Sequence, residues 1–442
     1  MKILRFTIRF TLIIIAISLL FSVTACSETP NQLRERAKVK LLEDFDCLVA
    51  EIEANMPLSG AINRKLDMDL ATEFAQIREY IAEENHHYGA DAKNMEQMEK
   101  RAADFLFTAL SKRIERKLGG MGHLFPLSRE MYIDIFTDLK KSIAEEAGYL
   151  DSQKMYETFS HPAALRFYSV DESALDLKLE DENIGLFTRK DPKAVQTQIY
   201  SPGEIAWITI NHSLNNLDFD REILLPFFEE IQNYPHLVID MRNHQGGNTN
   251  HFYELIMTPL LAAPVYVNGV MFVTGGECAQ TYLGYYKTKK ETDDTLGYQF
   301  YDAYQYVNLR NMTKFAPQDL ENLTHAMEWS NRIEPMDNAF PFAGEIWILT
   351  SQKTASAGED AVMSAMSSSF ATVVGEPTAG IIASMASHVV LPNTGIVFRM
   401  DINYFTDAQG RSLVEFGISP DIFNRPGLDA EQTVLELIAE ET

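Results

Sequence analysis

The sequence predicts an α/β fold: a mixed sheet with packed helices, preceded by a domain built of helices alone. Two observations predict it. Between Val39 and Gly148 apolar residues recur at spacings of three and four with charge between them, as in LLEDFDCLVAEIEANM and AADFLFTALSKRIERKL, which is the period of amphipathic helices. Beyond residue 204, short β-branched runs alternate with such helical patterns: EIAWITI, REILLPFFEEIQNY, HLVIDM, HFYELIMTPLL, then EIWILT, SAGEDAVMSAMSSSF and ATVVGE. That alternation is the mark of a largely parallel sheet covered by helices.

From the N-terminus, Lys2, Arg5 and Arg9 precede an uncharged, mostly apolar run from Phe10 to Val23. Its 14 residues fall short of the roughly 20 that span a bilayer, so residues 1–25 are read as a secretory leader. The run ends in Val23-Thr24-Ala25-Cys26, which resembles a bacterial lipobox. That resemblance implies lipid attachment at Cys26 and membrane association through it in the bacterial cell envelope. Ser27 after the cysteine points to the outer membrane. Residues 26–38 read as a tether, and 39–148 as the helical cap, interrupted by a turn at Gly119-Gly120-Met121-Gly122-His123. Residues 149–203 read as a β-rich connection (ALRFYSV, NIGLFTR, QTQIYS), and 204–442 as the core. Within the core, residues 276–340, rich in Tyr, Asn and Asp without clear period, read as an insertion able to roof a site.

Loss of residues 1–25, with three positive charges and no negative one, takes the formal charge from -25 to -28. So acidic a chain is a poor match for nucleic acid or anionic lipid. Cys47 and Cys278 are too few for a disulfide framework and are expected as buried apolar side chains. With no HExxH, no cysteine pairs at zinc spacing, and no GxGxxG or Walker A run, neither a metal nor a nucleotide cofactor is expected.

Sites of open α/β sheets gather where strands end and helices begin, because helix N-terminal amides hold developing negative charge. Two such junctions stand out. After HLVIDM comes Asp240-Met241-Arg242-Asn243-His244-Gln245-Gly246-Gly247, whose glycines let backbone amides approach a ligand closely. After EIWILTSQK comes Thr354-Ala355-Ser356-Ala357-Gly358-Glu359, where Ser356 sits among small residues at a helix start. The spacing of Ser356 and Glu359 also fits a capping box, which merely satisfies helix donors.

Together with Gly375-Glu376-Pro377-Thr378 and Gly417-Ile418-Ser419-Pro420-Asp421-Ile422, these junctions form an ordered series over residues 236–422. The series resembles the tail-specific (C-terminal processing) and tricorn-core serine peptidases. The resemblance implies a ClpP/crotonase-like core behind a helical cap, peptide or protein substrates, and Ser356 as nucleophile. It also implies an oxyanion hole from the amides of Ala357 and of Gly246 or Gly247.

Two departures shape the expectation. Where the processing branch carries a lysine base after G-E-P-T, this chain has Ile381, and no lysine follows Lys353. The tricorn-like branch uses a histidine at the end of the cap, in a segment resembled here by Leu118 to His123, with an acid shortly before the closing motif. His123 is therefore expected as general base and Glu415 as its polar support, with His244 the rival base. Only about 55 residues separate Gly148 from Gly203, too few for the PDZ domain of most processing proteases. The expected function is an exported serine peptidase working through an acyl-enzyme on Ser356. An inactive binding protein on the same fold and an acyl ester hydrolase are the alternatives.

Overall fold

The first helix of the cap starts at Pro30, so residues 30–38 are not the expected tether but a packed part of the cap, with Leu33 and Ala37 buried. Thr29 and Gln32 form a reciprocal capping box, Pro30 occupies the first turn, and the helix runs over Pro30–Asn55. Leu33, Ala37, Leu41, Phe45, Leu48 and Ile52 form its buried stripe, against which Leu70–Ala82 and Met95–Leu110 pack. The computed structural model describes residues 29–83, 92, 94–144, 152–176, 185–293, 296–382 and 386–441. The expected leader and Cys26 lie outside them. Among the described residues no helix is long and apolar enough to cross a membrane.

The connection after the cap is less β-rich than its composition suggests. The run ALRFYSV (164–170) forms the end of a helix, Pro162–Tyr168, and its left-handed cap at Ser169, not a strand. Pro162 presets the first turn and His161 Nδ1 accepts from the Ala163 amide at 3.3 Å. Burial of Ala163, Ala164 and Tyr168 then outweighs the weak strand propensity of the run. Of NIGLFTR, residues 185–187 bend and turn, Arg189 makes only an isolated β-bridge to Asn215, and the two residues before 185 lie outside the described residues.

The core sheet has six strands: β1 (Val195–Ser201), β2 (Ile205–Ile210), β3 (His236–Asp240), β4 (Glu345–Thr350), β5 (Thr372–Gly375) and β6 (Ile422–Phe423). They lie in sequence order across the sheet; β1 and β2 pair antiparallel and the rest parallel. All five residues of β3 are buried, as helices on both faces require. On one face Trp207, Val238, Trp347 and Val374 pack under the C-terminal helix Ala430–Glu441. On the other, Ile208, Ile239 and Ile348 join the core shared with the helices Leu217–Ile231 and Ala357–Ser368 and with the cap.

Two smaller sheets finish the site. Residues 276–340 hold helix Glu277–Thr292 and strands Gln299–Asp302 and His325–Ile333, which join Val265–Val273 and Tyr404–Phe405 in an antiparallel sheet. The second sheet crosses from cap to core: Phe125–Pro126 pairs with Val397–Asp401, which pairs with Ala386–Val390.

Candidate active site

The four sequence motifs are widely separated along the chain and are stitched together in space at the C-terminal ends of β3, β4 and β5. Beyond β3, the Asp240 carboxylate binds its own loop through the Arg242 amide (3.1 Å), Nε (2.9 Å) and Nη2 (2.7 Å). Arg242 also reaches Glu431 on the C-terminal helix at 2.8 Å. The two loops are tied directly, since the Ala355 amide donates to His244 O (2.9 Å) and the Thr354 hydroxyl to Met241 O (2.9 Å).

Ser356 takes φ 54° and ψ -120°, a conformation that costs a non-glycine residue free energy and persists only when its surroundings impose it. Glu359 imposes it. It closes the capping box that the spacing predicts, with Oε2 accepting from the Ser356 amide at 3.1 Å. The same carboxylate accepts from the amides of Gly380 (2.8 Å) and Ile381 (2.7 Å) and from the Thr378 hydroxyl. Burial lifts the Glu359 carboxyl above its ordinary pKa, and these four donors pull it back. Thr378 in turn exchanges bonds with Ile418, and Asp421 accepts from Val373 at 2.9 Å, which holds the closing motif in place.

Two amides border the serine. Ala357 opens a helix of 12 residues, so its N–H has no partner within the helix, and it bonds to nothing else among the described residues. Gly247 lines the same cleft as Ser356, and its amide is likewise without a partner among the described residues. Its φ of 135° and the 2.4 Å from a built Cβ to the Ser213 carbonyl carbon explain why only glycine fits. Gly246 differs: its amide donates to His244 Nδ1 at 3.1 Å, and its place is to let Ser356 close in, a built Cβ falling 2.8 Å from the serine Cβ.

His244 is 2% exposed, and burial pushes its pKa down to about 3. It lies under Gly358, holding Gly246 through the one nitrogen that accepts, so it acts as a prop between the loops. His123 lies at the cap–core seam with φ 44°, its Nδ1 2.8 Å from Asp401 Oδ2. The side chain of Asp401 is 1% exposed and that of His123 12%. The preceding turn packs on the motif loop, Gly120 facing Ile381, whose amide is held by the carboxylate that also holds Ser356. No hydrogen bond joins His123 to Ser356 among the described residues.

Glu415, expected beside His123, is found with Arg64 instead, accepting from Nε at 2.7 Å. Arg64 simultaneously grips the buried Asp319, at 3.0 and 2.7 Å. The carboxylate on His123 is Asp401, in the strand Val397–Asp401, which no motif marks. Nor does the sequence single out Lys65, whose ammonium donates to the carbonyls of Ala379 and Val414 (2.8 Å) beside Glu359.

Ser356 opens on a cleft of about 580 Å³, within the range that holds a small-molecule or short peptide ligand. Tyr282, Tyr286 and Trp329 from residues 276–340 line it, as do Asp138 of the cap and His388 and Arg399 of the small sheet. Among the described residues the only cluster with metal-ligand spacing is His236, Glu345 and Glu441, at the opposite, N-terminal ends of β3 and β4.

The sequence profile of peptidase family S41 matches residues 205–423, the stretch that holds all four motifs and β2 to β6. No curated protein matches the sequence. Among solved structures, a candidate peptidase from Parabacteroides merdae ATCC 43184 is 14% identical over 93% of this chain and 97% of its own, with a TM-score of 0.45. Mature CPAF complexed with lactacystin is 12% identical over 92% and 97%, with a TM-score of 0.46. The photosystem II D1 C-terminal processing protease is 13% identical over 91% and 97%, with a TM-score of 0.36. Through the segment that carries both loops and every one of the motifs, the chain belongs to peptidase family S41 and is a serine-type peptidase.

Proposed function

We propose that the chain hydrolyses peptide bonds in the bacterial envelope through an acyl-enzyme on Ser356, with His123 as general base and Asp401 as the carboxylate that orients it. The observation that carries this reading is the imposed backbone of Ser356, which presents its side chain to the cleft beside two unpartnered amides. Ser356 Oγ attacks the scissile carbonyl while His123 Nε2 takes the hydroxyl proton, and the amides of Ala357 and Gly247 receive the oxyanion. The imidazolium then returns the proton to the leaving amine, and a water deprotonated by His123 releases the acid. Asp401 on Nδ1 fixes the tautomer that leaves Nε2 free to accept. The hydrogen bond from Ser356 to His123 forms on substrate binding, as catalytic hydrogen bonds that are absent or long in apo enzymes do. Export and a lipid on Cys26, at the outer membrane, place this chemistry on substrates outside the cytoplasm.

The test is labelling of the purified full chain with a fluorophosphonate, comparing wild type with Ser356→Ala, His123→Ala and Asp401→Asn. Label is expected on wild type, absent from Ser356→Ala and strongly slowed in the other two. Equal labelling of wild type and His123→Ala removes His123 from the mechanism. Metabolic labelling with a radioactive fatty acid, lost in Cys26→Ala, tests the anchor.

A further inference from the structure

The face of the small sheet that borders the cleft holds a cation that no carboxylate contacts in an ion pair among the described residues. In register, Arg399 stands opposite Phe125 on one neighbouring strand and His388 on the other, so the three side chains share one face. The guanidinium lies 5.8 Å from the centroid of Phe125 and makes no hydrogen bond or ion pair among the described residues, its buried Nε included. Both ring nitrogens of His388 are buried and unpartnered as well. Arg399, His388 and Ser356 all line the same cleft.

A buried, unpaired guanidinium is expensive, and proteins keep such groups where an anion arrives. None of the acids nearby pairs with Arg399 among the described residues. Asp401, two residues along, gives Oδ2 to His123; its charge attracts Arg399, but no ion pair or hydrogen bond joins the two among the described residues, and its buried Oδ1 is also unpartnered. Asp138 accepts from the Leu186 amide at 2.9 Å, and Asp360 lies beside Tyr253 on the helix of the nucleophile. The other cation of the cleft, Lys154, is paired with Glu277 at 2.8 Å. Burial holds the guanidinium below its usual pKa and pushes His388 down to about 3, so His388 offers an N–H without a second charge. With a net charge of -25 the protein as a whole repels anions, so a carboxylate that binds here does so because of this local pair.

We propose that Arg399, with His388 beside it, is a subsite of the cleft that binds a carboxylate of the peptide substrate. The carboxylate is either the C-terminus or an acidic side chain. This rests on the cleft at Ser356 being the substrate site. A bidentate guanidinium–carboxylate contact would fix the peptide's register against the serine.

The test measures binding, so it stands apart from catalysis. Four pools of fluorescein-labelled pentapeptides are titrated against full-length Ser356→Ala by fluorescence anisotropy. One pool has a free C-terminus and no acidic residue, and a second is the same with a C-terminal amide. The other two are amidated and carry a central Glu or a central Gln. At least one carboxylate pool is expected to bind about tenfold to a hundredfold more tightly than its neutral counterpart. Which pool does so identifies the source of the carboxylate. The gap is expected to close in Ser356→Ala/Arg399→Met and to survive largely in Ser356→Ala/Arg399→Lys. Equal affinity for all four pools, binding of none, or a gap unchanged by Arg399→Met overturns the proposal. The comparison of pools decides even if Arg399→Met fails to fold. A wild type that takes no fluorophosphonate while the gap persists defeats only the catalytic reading.

Discussion

Replacing Glu359 with Gln probes whether one buried carboxylate holds the nucleophile in place. Its two oxygens accept from four donors: Thr378 and Gly380 on Oε1, Ile381 and Ser356 on Oε2. A glutamine amide presents one oxygen and one NH2 group, so two of the four donors face a donor. A buried donor left without an acceptor costs about 1–3 kcal/mol, giving about 2–6 kcal/mol for two. Removing a buried charge returns part of this, since a buried ion carries its own desolvation penalty. The expected loss is therefore about 2–4 kcal/mol, measured as a fall in urea midpoint at pH 7 with unchanged slope. Because Ser356 is one of the four donors, the fluorophosphonate labelling rate should fall in parallel. A variant within about 0.5 kcal/mol of wild type that labels at the wild-type rate would refute the reasoning, because the serine would then owe its geometry to something else.

Three further outcomes follow from the same structure. Arg64→Met leaves the Asp319 side chain, 1% exposed, with only the Tyr404 hydroxyl among the described residues, and should cost about 1–3 kcal/mol in denaturation, a value discounted because Arg64 is itself one-third exposed. Gly247→Ala, at φ 135° and with its Cβ driven into Ser213, should keep the circular dichroism of wild type and lower peptide cleavage by about a hundredfold or more; unchanged cleavage would remove this amide from the oxyanion hole. Asp360 has its pKa raised by burial from 3.8 to about 6, so the native state favours its protonated form. Its contribution to stability is complete below about pH 4 and is lost as pH rises through about 6, amounting to about 1–3 kcal/mol. Asp360→Asn should erase that part of the stability profile between pH 4 and 7, and a parallel profile would show that the group does not titrate there.

The parts of this fold written in local chemistry are legible in the sequence. The stripe from Leu41 to Ile52 announces the buried face of the first helix, whereas its first turns, from Pro30, fall in the segment read as a tether, because their capping residues give no apolar period. The alternation that predicts the sheet appears as β2 to β5 with their intervening helices. Legibility fails where tertiary packing decides, as in the helix Pro162–Tyr168, whose residues have weak preferences and take the form that buries Tyr168. At the site, Ser356 and the glycine pair are legible because the backbone itself must be unusual there, and only certain residues permit it. Asp401 and Arg399 are not, since a charged residue in a strand carries no sign of what lies across from it. Sequence distance from the closing motif favoured Glu415, but strand register puts Asp401 on His123 and leaves Glu415 to Arg64.

The seam between cap and core has a consequence for how activity depends on folding. His123 comes from the cap, yet its partner Asp401 and the loop it packs on belong to the core. Lys65, also from the cap, caps two carbonyls of the same core segments, and Arg64 bridges Asp319 and Glu415 one residue away. A core folded without its cap would retain the serine, the glycines and Glu359, all of which are supplied by residues 240–422. It would lack His123, the proposed base, and the Lys65 ammonium that faces the buried Glu359. On the proposed mechanism, Ser356 is thus held by one part of the chain and activated by another, and the charged contacts at the seam would couple docking of the cap to the competence of Ser356.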